Sequence, residues 1–87
     1  MHPTDPVWAP VEGISLDRYA WITAALITEG ISDTDAIDTF VHTHFGTPPG
    51  AWAGVRAEWV ARMGHHRAVR ARYSTAFADA FTAQRAS

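Results

Sequence analysis

Residues 52–66 read WAGVRAEWVARMGHH. Trp52, Val55, Trp59 and Met63 recur at steps of three, four and four, so at about 100° per residue they fall on one narrow helical stripe. Trp52 and Trp59 lie about 20° apart in projection. A stripe at helical spacing must be buried against something, so the two tryptophans are read as core. The pair His65–His66 follows where this helix ends, a place where the helix dipole favours an imidazolium without any ligand. Adjacent residues on a helix or turn point in different directions, so the pair does not by itself hold a metal ion.

The same periodicity extends outward in both directions. Downstream, Val69, Tyr73, Phe77 and Phe81 step by four with Ala76 and Ala80 alongside, which predicts a helix over about residues 67–83 and a fraying end beyond it. Upstream, TPPG (47–50) offers Thr47 as N-cap and Pro48 as the first residue of the Trp52 helix. SDTDAIDTFVHTHFG (32–46) carries Ser32 and Asp35 in a capping-box spacing, with Gly46 as its stop. Its apolar face comprises Ile37, Phe40, Val41, His44 and Phe45, which predicts that His44 is hydrogen-bonded at the core edge and perturbed by burial. ISLDRYAWITAALITEG (14–30) has Ser15 as N-cap, Asp17 in the first turn and Gly30 at the end. Its inner face is Leu16, Tyr19, Ala20, Thr23, Leu26 and Ile27, widened by Ile22 and Ala24.

No alternation at period two persists, so no strand is predicted. Residues 1–12, MHPTDPVWAPVE, hold three prolines and no helical period, and are read as an extended arm anchored by Trp8 and Val11. The expected fold is all-α: a small antiparallel, up-and-down bundle of about four helices over residues 13–84, preceded by the arm and followed by a frayed tail at 85–87.

Composition narrows the chemistry. At 87 residues the chain is one domain with a thin core, yet 47% hydrophobic and 18% charged residues favour folding over disorder. The absence of cysteine excludes disulfides, thiol catalysis and thiolate metal sites. No apolar run reaches the roughly 20 residues that span a bilayer, and the start lacks the basic and apolar regions of a signal peptide. A cytoplasmic protein is therefore expected, or one exported without a cleavable signal. Residues 1–50 carry seven acids and one arginine (net −6), and residues 51–87 two acids and six arginines (net +4), which sums to −2. This split suggests arginines of the last two helices facing acids of the first two. Every basic residue is arginine, which with abundant alanine points to a GC-rich bacterial coding bias.

Motifs for catalysis are absent: there is no G-x-S-x-G, no glycine-rich phosphate loop and no H-E-x-x-H. Asp38 and His42 form an ordinary i, i+4 helix pair. No cofactor and no metal ligand set is expected. Arg67, Arg70 and Arg72 at the start of the last helix are candidate anion or nucleic-acid contacts, but Arg72 lies about 140° from Arg67, off any single stripe. Trp21 stands out most. It projects about 140° from Leu16, beside Arg18 and Ala25, where a large aromatic has no place in an isolated soluble helix. Either its own chain covers it or it anchors another chain. The expected function is thus a non-catalytic protein-interaction module, homo-oligomeric or an accessory subunit of a larger bacterial protein. Its partner-binding residues would be Trp21, Arg18 and Ala25, joined by Trp8. The alternatives are nucleic-acid binding through the three arginines, or a small helical enzyme or metal protein using the histidines.

The pattern G-I-S-L-D-R-Y-A, then W-A-G-V-R-A-E-W-V-A-R-M, then R-Y-S-T-A-F resembles a group of small bacterial all-helical proteins. That group carries G-[IV]-S-L-x-x-Y-A followed by W-x-x-V-x-x-x-W-x-x-R-M. The resemblance covers Gly13 to about Phe77, implies a helical fold and supplies no catalytic residue. One departure is the segment HHRAVRAR after Met63, where the resemblance implies a more acidic turn.

Overall fold

A computed structural model describes residues 6–86; the first five residues of the predicted arm and Ser87 of the predicted tail lie outside the described residues. The chain is a small all-α bundle. A single 3-10 turn, Pro6–Trp8, precedes α1 (Leu16–Thr28), α2 (Thr34–Phe45), α3 (Trp52–His65) and α4 (Arg67–Ala86). Among the described residues there is no strand, only an isolated bridge between Val11 and Ile14.

Local sequence explains most of the boundaries. The Ser15 hydroxyl accepts the Arg18 N–H at 3.2 Å and starts α1. Gly30, at φ +69°, ends it: its N–H donates to the Ile27 carbonyl, and Ile31 N–H donates to that of Leu26, a Schellman closure. At α2 the cap is Asp33, whose carboxylate accepts from Ala36 N–H, and not Ser32 one residue earlier. Both side chains can cap, but the carboxylate also meets the positive end of the dipole.

The start of α3 differs more. The helix begins at Trp52, not after Thr47, because Pro49 disfavours a helical conformation at Pro48. The chain turns instead, with Ala51 N–H on the Pro48 carbonyl. Asp38 and His42 of α2 hold this loop. The Asp38 carboxylate takes Gly50 N–H at 2.8 and 3.0 Å, and His42 Nδ1 donates to the Thr47 carbonyl at 2.8 Å. A carbonyl only accepts, so this contact sets the proton on Nδ1.

Only His66 separates α3 from α4, and its extended backbone reverses the chain. The core comprises Ile14, Leu16, Tyr19, Ile22, Leu26, Val41, Trp52, Val55, Trp59 and Val69. Its main seam joins α1 to α4 along Ala20, Ala24 and Ala80, whose small side chains let the backbones approach. Along this seam Asp17 meets Arg72, Tyr19 meets Tyr73 and Thr28 meets Gln84, separations of 55, 54 and 56 residues. A constant separation means that α1 and α4 run parallel. An up-and-down order places them antiparallel, so the helix directions depart from that expectation while the class stands. The departure arises before α4, because an up-and-down order would set α3 parallel to α1, and the tight reversal at His66 is common to both arrangements. Trp59 reaches the Ile14 carbonyl and Trp52 stacks on Tyr19, so α3 is antiparallel to α1, and α4 must then be parallel to it.

Two inner-face assignments fail. Ile27 is 55% exposed, because it stands eight residues, or about 12 Å, beyond the level of Tyr19, where α3 begins. His44 is exposed, lying against the Phe40 ring at 4.5 Å, and is not buried at the core edge. Val41 is the one fully buried residue of α2, and His44 is turned about 60° from it. The tail also differs from a frayed end. Gln84 donates to the Trp21 carbonyl and accepts from the Thr28 hydroxyl, and the Arg85 guanidinium lies over Phe81, so α4 continues to Ala86.

Candidate functional site

Three places on this frame could act on another molecule: the outer strip of α1, the arginine-rich start of α4, and a cleft where α1, α2 and α3 meet. On α1, residues 18, 21 and 25 project within about 60° of one another, on the side away from the core. Trp21 is 41% exposed, Arg18 is exposed, and Ala25 is half-buried between them. The Asp17–Arg72 pair bounds the strip on the α4 side, and the Arg18 guanidinium, 5.4 Å from the Phe45 ring centre, bounds it on the α2 side. At 41% exposure Trp21 is partly covered by its own chain, and no aromatic ring among the described residues stacks on it.

Trp8 is anchored elsewhere. It packs half-buried against the core, and its segment is gripped by Arg62 of α3. One guanidinium nitrogen of Arg62 donates to the Val7 carbonyl at 3.2 Å and the Ala9 carbonyl at 2.7 Å; Nε donates to Glu58 at 2.9 Å. The plane lies 4.6 Å from the Trp59 ring centre. Arg62 is thus the residue that docks the arm, a role the sequence stripe left unassigned. Its position three residues after Trp59 was the available signal, since i and i+3 share a helix face.

The three arginines of α4 do not form one patch. Arg72 makes a two-pronged pair with Asp17, Nε at 3.1 Å and Nη2 at 2.7 Å, while Arg67 and Arg70 are exposed. This pair meets the expected facing of basic and acidic halves at one point only, the other ion pair among the described residues lying within α3, and with both partners more than half exposed it contributes little stability. Among the described residues no three His, Asp or Glu side chains converge as a metal would require. His42 and Asp38 are engaged with the 47–50 loop, and His44 with Phe40.

The cleft has a volume of about 510 Å³. Tyr19, Leu26, Ile37 and Trp52 supply its apolar wall; Thr23, Arg56, Asp35 and Asp38 supply its polar one. Burial pushes the Tyr19 phenol above its ordinary value of 10 and the neighbouring Tyr73 adds to this, while Thr23 and Arg56 beside the hydroxyl oppose it. Tyr73 is likewise raised by burial, against the pull of Thr23. These are the only two tyrosines, and the fold favours the neutral form of both. Their contribution to stability is therefore complete below pH 10 and lost as pH rises through the folded-state values. The urea midpoint should fall as pH is raised above about 10, and fall less steeply in Tyr73→Phe; a midpoint unchanged there contradicts the buried-phenol geometry.

The chain matches no known protein family, no curated protein and no solved structure. Among the described residues no helix is long and apolar enough to cross a membrane.

Proposed function

We propose that this chain is a non-catalytic protein-interaction module of the bacterial cytoplasm, acting as a homo-oligomer or as an accessory subunit. The contact surface is the outer strip of α1, with Trp21 at its centre and Arg18 and Ala25 beside it. The observation that carries this reading is the 41% exposure of Trp21 on a helix whose other large hydrophobic side chains, Ile27 excepted, are turned inward. Exposed tryptophan area costs hydration free energy in the isolated chain, and a partner would recover it. The rim is polar, with Arg18 on one side and the Asp17–Arg72 pair on the other, as interface rims are.

Absolute mass by light scattering across a hundredfold concentration range tests the proposal, on wild type and Trp21→Glu. We expect a wild-type dimer that becomes a folded monomer on substitution. A monomer in both forms removes self-association and leaves the accessory-subunit reading, to be tested by affinity capture with wild type against Trp21→Glu. Loss of folding in a monomeric Trp21→Glu would show that Trp21 serves its own core, and would overturn the surface altogether.

A further inference from the structure

The cleft between α1, α2 and the start of α3 combines features that no packing role requires. Arg56 stands on its α3 wall, one turn after Trp52, and forms no ion pair among the described residues. Asp35 and Asp38 stand on its α2 wall and make that wall anionic; the Asp38 carboxylate is held in place by Gly50 N–H, and the Asp35 carboxylate has no such backbone partner among the described residues. Trp52 and Ala53, at the α3 N-terminus, line the same space, and Ala51 gives that terminus no capping side chain, so the positive end of the helix borders the cleft. Tyr19, only 3% exposed, lines the space with Thr23, and Leu26, Ile37 and Trp52 form an apolar surface.

We infer that this cleft binds a small zwitterion, an α-amino acid with an apolar side chain. The carboxylate meets Arg56 and the open α3 N-terminus, the ammonium meets Asp35, and the side chain lies on Leu26, Ile37 and Trp52. The charge pattern selects this class. A simple carboxylate would gain Arg56 but face Asp35, and a simple amine would gain Asp35 but face Arg56. Only a ligand bearing both charges satisfies both walls. The volume, about 510 Å³, lies within the range of roughly 300–1,000 Å³ common for small-molecule pockets. This site is separate from the α1 outer strip and does not depend on it.

Isothermal titration calorimetry with L-leucine and L-phenylalanine as probes tests the inference. Isocaproate, which lacks the ammonium, and isoamylamine, which lacks the carboxylate, serve as matched controls. Arg56 and Asp35 are exposed, so Arg56→Gln and Asp35→Asn should retain the fold, as circular dichroism will verify. At least one amino acid should bind once per chain, with each control and each variant weaker by about tenfold or more. Isocaproate binding as tightly as leucine would make this an anion site, and isoamylamine doing so a cation site; either overturns the zwitterion. No binding of either amino acid at millimolar concentration overturns it as well, and so does full affinity in both variants.

Discussion

Trp59→Ala should cost about 3–5 kcal/mol of unfolding free energy, the largest effect of any single substitution considered. Trp59 is fully buried, and its indole N–H donates to the Ile14 carbonyl at 3.1 Å, fastening α3 to the residue that leads into α1. Truncation removes the largest side chain of the core, opens a cavity and takes away the surface on which Arg62 lies. Domains of ordinary stability have about 5–15 kcal/mol in total, and a chain with so thin a core has little reserve. Urea unfolding followed by far-UV circular dichroism should therefore show Trp59→Ala largely unfolded near 37 °C. Trp59→Phe separates packing from the hydrogen bond. The Ile14 carbonyl also accepts Val11 N–H, so the phenylalanine variant leaves it one partner and should lose only about 1–2 kcal/mol. Near-wild-type stability of Trp59→Ala would mean that α3 does not close the core.

Arg62→Met should release the arm while leaving the helices in place. The side chain is 18% exposed, and its planar fork serves the Val7 and Ala9 carbonyls, Glu58 and the face of Trp59 at once. We expect a global loss of about 1–2 kcal/mol, since most of these bonds are part-exposed. The local effect should be larger: fast exchange of the Ala9 amide, which donates to the Pro6 carbonyl, and a Trp8 emission shifted toward that of a solvated indole. Methionine keeps much of the apolar stem, so the change isolates the guanidinium. Arg62→Lys should rescue little, because a single ammonium cannot span two carbonyls and a carboxylate with the same geometry. An Ala9 amide that stays protected in Arg62→Met would show that Val7, Trp8 and Val11 hold the arm by packing alone.

Much of the secondary structure was legible in advance. Ser15 and Gly30 bracket α1 as their residue types predict, and Gly46 ends α2 at φ +71°. The Trp52–Val55–Trp59 stripe is buried as its spacing requires. Where reading failed, two local rules competed. Ser32 and Asp33 were rival caps, and the Pro48–Pro49 pair set a favourable first helical residue against a following proline that forbids the helix. His44 and Ile27 failed for a different reason. A helical wheel gives the direction of a side chain but not the length of the neighbour that would cover it.

The candidate sites divide the same way. Trp21 stood out from sequence because it breaks the amphipathic pattern of α1. Arg56 did not, and for Arg62 the only local sign was its place three residues after Trp59, which gives the face it shares but not the arm it meets. Nor did the pairing of Arg72 with Asp17 follow from anything finer than the charge split between the two halves.

By itself, then, the sequence determined four helices, several of their caps and, Ile27 and His44 apart, the side each turns inward, because these follow from interactions within a few residues of chain. The tertiary structure alone decided that α1 and α4 run parallel, that one cleft opens between opposed charges, and that Arg62 holds the arm. Those outcomes rest on partners far apart in the chain: Arg62 meets Val7 and Ala9 from 55 and 53 residues away, and the reversal at His66 brings Arg72 and Gln84 of α4 back to Asp17 and Thr28 of α1, 55 and 56 residues away. Helical periodicity says which face a residue occupies; only the packed chain says what stands opposite it.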